Sequence, residues 1–121
     1  MAPFRFRQFK VYQDAKAFRK HVIRLANKCV EQRAFDLTDQ IRRASLSVVL
    51  NIAEGSAKRS DIEFARFLET STGSVNEIVA GFDIAHDEKI ISDNDYASIE
   101  REAENILMQL GGFIKSLRKN H

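Results

Sequence analysis

Arg43, Ser47, Asn51 and Glu54 recur at steps of four, four and three residues. That spacing sets a guanidinium, a hydroxyl, an amide and a carboxylate along one line of a helix. Two readings fit the line. Its arginine, asparagine and glutamate could converge on a ligand. Alternatively, Asn51 and Glu54 are partly buried and satisfied by Arg43, Ser47 or backbone groups of a neighbour, as buried polar atoms must be. No histidine, cysteine or second acid lies on the line, and the structural reading is preferred. The rest of the chain adds little chemistry. His21, His86 and His121 are scattered without ligand spacing, so no metal site is expected. Cys29, the single cysteine, falls on an apolar line and reads as a small core residue, not a reactive thiol. With no nucleophile–base pair, metal spacing or phosphate loop, no catalytic residue and no cofactor is assigned.

Charge is the more informative signal. The formal net charge is only +2, yet nine Lys/Arg through Arg33 face two acids, and twelve acids between Asp61 and Glu104 face three bases. The chain is basic at one end of the sequence and acidic in its third quarter, a pattern that attracts an anion or another copy of itself. Lys16, Lys20 and Arg24 belong to the basic stretch and are expected on an exposed helix face. Ahead of them, Phe4, Phe6 and Phe9 alternate with Arg5 and Arg7 in residues 1–9. This segment reads as a short strand or, lacking a partner strand, as an extended arm whose rings cover one end of the helices. Interleaved basic and aromatic residues are also what single-stranded nucleic acid favours.

The elements that position these groups are helices. Val11, Ala15, Phe18, Val22, Leu25 and Cys29 form a seam in a first helix over residues 10–31. Leu37, Ile41, Ala44, Val48, Ile52 and Gly55 form the stripe of a second, capped by Asp36 or Thr38. Leu46, Val49, Leu50 and Ala53 lie roughly opposite that stripe and give this helix a second apolar face. Ser60 and Glu63 make a capping box for a third helix reaching about His86, with Phe64, Leu68, Ser71, Val75, Ile78, Phe82 and Ala85 inward. Gly73, Ala80 and Gly81 fall on its far side, as if something packs closely there. Ser92 to Asp95 open a fourth helix carrying Tyr96, Ile99, Ala103, Ile106, Leu110, Phe113 and Leu117, with Gly111-Gly112 a place for a bend or tight contact.

Four helices of similar length with short connections predict an all-α, antiparallel up-down-up-down four-helix bundle, one domain over residues 1–121 with residues 1–9 as its arm. At 44% hydrophobic and 30% charged residues the composition is that of a globular protein. No apolar run reaches the twenty or so residues needed to span a bilayer, and no signal-peptide core follows the basic N-terminus. A lone cysteine fits the reducing cytoplasm.

Three segments carry a resemblance: FKVYQDAKAF, QIRRASLSVVLNIAEGSAKRS and EFARFLETSTGSVNEI. Through them nearly the whole chain resembles the bacterial four-helix-bundle family encoded within intervening sequences of 23S ribosomal RNA genes. The resemblance implies a homo-oligomer, typically a pentameric ring, without established enzymatic activity, and a suggested role in binding ribosomal RNA. Tyr12 stands where many relatives have tryptophan, and Val49 where proline is frequent. On the family pattern Gln40, Arg42, Arg43, Asn51, Glu54, Gly73, Ser74 and Glu77 are interface and structural positions. Arg42, Arg43, Lys58 and Arg59 are then the candidates for phosphate contact. Two functions follow: a nucleic-acid-binding module, or an oligomer that presents surfaces to a protein partner with its charges serving assembly.

Overall fold

Each apolar stripe must leave water, and four stripes at helical spacing do so by facing one another. In the computed structural model, which describes residues 3–119, α1 spans Lys10–Glu31, α2 Phe35–Ser56, α3 Asp61–Asp87 and α4 Asp93–Arg118. Met1 and Ala2 of the arm, and Asn120 and His121, lie outside the described residues. Every expected stripe residue is buried except Leu37, Tyr96 and Phe113, which are partly buried against the same core.

Direction is legible in pairs of residues. Between α1 and α4, Asp14 meets Gln109, His21 meets Glu102 and Lys28 meets Asp95, so one number rises as the other falls. Ser71 and Ser74 of α3 reach Val48 and Ser47 of α2, and Tyr96 of α4 reaches Asp83 of α3. Arg19 with Ser45 and Asn27 with Arg42 order α1 against α2 in the same sense, and Glu69 with Arg118 does so for α3 and α4, so consecutive helices run antiparallel and α1 closes against α4.

Several local expectations need correction. α2 begins at Phe35 behind Ala34, with no side-chain cap. Thr38 lies four residues past the N-cap position Ala34, and its buried hydroxyl donates back to the Ala34 carbonyl at 2.8 Å. The arm is not extended. Residues Arg5–Gln8 form a 3-10 turn, and Arg5 donates through Nε and Nη2 to the Ser56 carbonyl at 3.1 and 3.0 Å. Of its rings only Phe9 covers the bundle end, 5.2 Å from Phe113 and 6.2 Å from Phe64 centroid to centroid, while Phe6 rests on Tyr12 and Phe4 is exposed. Ser60 and Ser92 cap α3 and α4, accepting from the Glu63 and Asp95 N–H groups.

Glycine allows the tightest contact. Gly55 ends the α2 stripe, and a Cβ there would meet the Phe67 Cβ at 2.7 Å. Gly81 is not on the far side of α3 but buried against α2, where a Cβ would lie 2.6 Å from Ile41 Cγ1. Gly73, Gly111 and Gly112 face open space, so the last two make no tight contact and α4 continues through them. Opposite outcomes are expected for the same substitution. Gly55→Ala should destabilise by about 1–3 kcal/mol because α3 must shift. Gly73→Ala should stabilise by about 0.5–1 kcal/mol by removing backbone freedom from the unfolded chain. Urea or thermal unfolding of the two variants checks both signs.

Candidate functional site

The polar line does not converge. Arg43 and Glu54 are exposed, not partly buried, while Ser47 and Asn51 are half-buried and satisfy each other. The Asn51 amide donates to the Ser47 carbonyl at 2.9 Å and to its Oγ at 3.0 Å, and the Ser74 hydroxyl donates to the same Oγ at 2.8 Å. The serine–asparagine half thus belongs to the α2–α3 interface, while Arg43 and Glu54 face solvent.

A more substantial surface lies on the other flank of α2. Leu46 and Leu50 are 42% and 52% exposed. Beside them runs a groove of about 500 Å³, with Leu46 and Val49 on one wall and Lys16, Arg19, Lys20 and Ile23 of α1 on the other. Val49 was expected outward but is buried, and Ala53 is half-buried. Both sit toward α1 on the wheel, and α1 covers them. The outward apolar face therefore narrows to Leu46 and Leu50, with Val49 as groove floor. Arg19, one of the nine basic residues through Arg33, and Ile23 are not among the candidate site residues of the sequence. The available signal was an isoleucine off the α1 seam, close to three exposed cations.

The seven proposed cations do not form one patch. Lys16 and Lys20 rim the groove, and Arg24 is exposed further along α1. Arg42 donates to Asn27 Oδ1 at 3.2 Å, and Arg43 points to solvent. Lys58 and Arg59 lie in the α2–α3 turn, roughly 20 Å from Arg42 along the helix at 1.5 Å per residue. Lys58 Nζ sits 4.9 Å from the centre of the Phe67 ring.

Antiparallel packing converts charge segregation along the sequence into segregation between the bundle's ends. The arm end gathers residues 3–16, 50–69 and 112–119, with ten Lys/Arg against five Asp/Glu. The opposite end gathers residues 25–42 and 79–100, with four against nine. The α1–α4 seam between them carries a polar ladder at intervals of seven: Asp14, His21 and Lys28 opposite Gln109, Glu102 and Asp95. Hydrogen bonding from Lys10, then Gln109, holds the Asp14 carboxyl below its ordinary range, and Lys28 does the same for Asp95. Cys29 is buried, and burial pushes its thiol pKa up. Among the described residues no three His, Cys, Asp or Glu side chains are grouped to hold a metal ion, and no helix is long and apolar enough to cross a membrane.

The family model for the 23S rRNA-intervening sequence protein matches residues 7–112. The chain belongs to that family. A crystal structure of a protein with unknown function from the S23 ribosomal protein family of Bacteroides thetaiotaomicron superposes with a TM-score of 0.82 at 25% identity, covering 87% of this chain and 98% of that one. No curated protein matches the chain. Within the 23S rRNA-intervening sequence protein fold, Gln40, Asn51, Ser74 and Glu77 lie along the α2–α3 interface, whereas Arg42, Arg43 and Glu54 lie outside it. The Gln40 amide donates to Glu77 Oε2 at 2.7 Å, Asn51 and Ser74 share Ser47, and Gly55 admits Phe64 and Phe67.

Two measurements follow. The folded state lowers the Asp14 and Asp95 pKa values, so their contribution to stability is present above the ordinary carboxylate value of 3.8 and is lost as pH falls through the lower folded values. Asp95→Asn should therefore melt below wild type at neutral pH, with the gap closing in acid. Cys29 should react with a thiol reagent only as fast as the bundle opens, so denaturant should accelerate labelling steeply.

Proposed function

We propose that the protein is a non-enzymatic bundle that assembles with copies of itself, the α1–α2 groove of one copy receiving the outer face of α3 from the next. The observation that carries this reading is the pairing of two unlike surfaces on one chain. One is the apolar groove with its rim of Lys16, Arg19 and Lys20. The other is the exposed stripe of α3, where Ile62 and Ile84 are 46% and 48% exposed, Gly73 and Ala80 leave the helix surface flat, and the acids Glu69, Glu77 and Asp87 outnumber the one base Arg66, Glu69 being paired with Arg118 of α4. Basic rim and acidic stripe are complementary, which orients the partners and disfavours groove-to-groove pairing. A contact between two different patches is heterologous and closes into a ring when the rotation permits; the family resemblance makes five copies the expected number. The buried, unpaired Cys29 suits assembly in the cytoplasm.

Leu50→Arg spoils the groove side and Ile84→Arg the α3 side. Each variant should be a folded monomer by ultracentrifugation, while wild type is a single larger species at micromolar concentration. Mixed together, the two variants retain one good groove and one good α3 face between them, and should form a 1:1 dimer that grows no further. A monomeric wild type, or variants that ignore one another, would exclude this interface.

A further inference from the structure

The arm at the basic end divides its side chains between two uses. Arg5 and Phe9 are committed to packing: the Arg5 guanidinium lies 5.6 Å from the Phe9 ring centre and 5.4 Å from that of Phe64. Phe6 rests edge-on against Tyr12, with centroids 4.8 Å apart. Phe4 takes no part in the core. Its ring is 61% exposed and its backbone has φ 62°, a left-handed conformation that strains a bulky L-residue. The turn holds it there. The Arg7 N–H donates to the Phe4 carbonyl at 3.2 Å, and Gln13 Nε2 donates to the Arg7 carbonyl at 2.9 Å. The Arg7 guanidinium lies 5.1 Å from the Phe4 ring centre. A large aromatic ring is thus kept outside on a strained backbone, with the Arg7 guanidinium over one face and Phe6 edge-on at 6.2 Å between centroids. It sits at the end of the molecule where basic residues outnumber acidic ones ten to five.

We propose that this arm end binds single-stranded nucleic acid, with an unpaired base stacked on Phe4 and the adjoining phosphates held by Arg7 and by the exposed Arg59, Lys115 and Lys119. Stacking needs an exposed ring with cations at the same end of the molecule: Phe4 is exposed, a base would take the face opposite Arg7, and Arg59, Lys115 and Lys119 are exposed at this end. A double helix hides the faces of its bases and so cannot stack one on the displayed ring. The residues differ from those of the α1–α2 groove, so a copy seated in the groove leaves this platform's own groups free. RNA and DNA share the chemistry; a contact to the 2′-hydroxyl would separate them.

The test is fluorescence anisotropy of the assembled protein with labelled oligouridine and oligothymidine of about twelve nucleotides. A duplex of equal length and polyglutamate serve as comparisons, at about 50 and 200 mM salt. Either single strand should bind more tightly than the duplex, less so at higher salt, and the RNA-to-DNA ratio reads the 2′-hydroxyl contribution. Phe4→Ala should lower affinity about tenfold, while Phe4→Tyr keeps it. Both should match wild type in melting temperature and assembly. Arg7→Gln and Arg59→Gln should each reduce the slope of log affinity against log salt by about 0.7. Equal affinity for duplex or polyglutamate, wild-type binding by Phe4→Ala, or no binding to either single strand would overturn the proposal.

Discussion

The contact between α2 and α3 is the constraint on which the molecule depends. Gly55 lets Phe64 and Phe67 of α3 against the α2 backbone, and Gly81 gives the same closeness to Ile41 further along. With the backbones that near, short hydroxyls reach across: Ser71 donates to the Val48 carbonyl at 2.9 Å, and Ser74 to Ser47. Longer side chains at these positions would hold the helices apart, and the serines would lose their partners. Every buried side-chain polar atom among the described residues has a hydrogen-bond partner, as native interiors require.

Committing one flank of α2 to α3 determines what the other flank can do. α1 meets that flank less intimately, through longer side chains such as Arg19, whose Nη1 stands 3.4 Å from Ser45 Oγ. A groove remains between them, and Leu46 and Leu50 emerge beside it. The α1–α4 seam is closed differently again, by pairs of opposite or complementary polarity at heptad intervals. These pairs, two partly buried and one exposed, act on register: a slip by one residue would break all three.

Connectivity then sets the electrostatics. Up-down-up-down order returns the N-terminal arm, the α2–α3 turn and the C-terminus of α4 to one end, where basic residues dominate. The turns at the other end follow α1 and α3. Each is closed by a residue with positive φ, Arg33 at 62° and Lys89 at 61°, with acidic residues around them.

The number, limits and inward faces of the helices were legible in the sequence, because burial of a helical stripe imposes a three-four spacing that survives any tertiary arrangement. Cys29 as a core residue, Ser60 as a cap and the outward leucines Leu46 and Leu50 followed from the same local rule. Where a second helix decides the environment, the rule failed. Val49 lies only a quarter-turn from the core line, and whether such a position is covered depends on where α1 stands. Gly81 looked outward-facing because the α3 stripe was drawn toward the bundle centre, whereas α2 approaches from the side and needs the glycine. Thr38 resembled a cap because hydroxyls cap helices, but Ala34 already begins the turn and the hydroxyl bonds backward. The arm's alternation suggested an extended segment; Arg5, finding the Ser56 carbonyl at the end of α2, folds it into a turn instead. Periodicity is a property of one helix and can be read from a string. Coverage, close approach and the gathering of charge at one end are relations between helices, and only packing decides them.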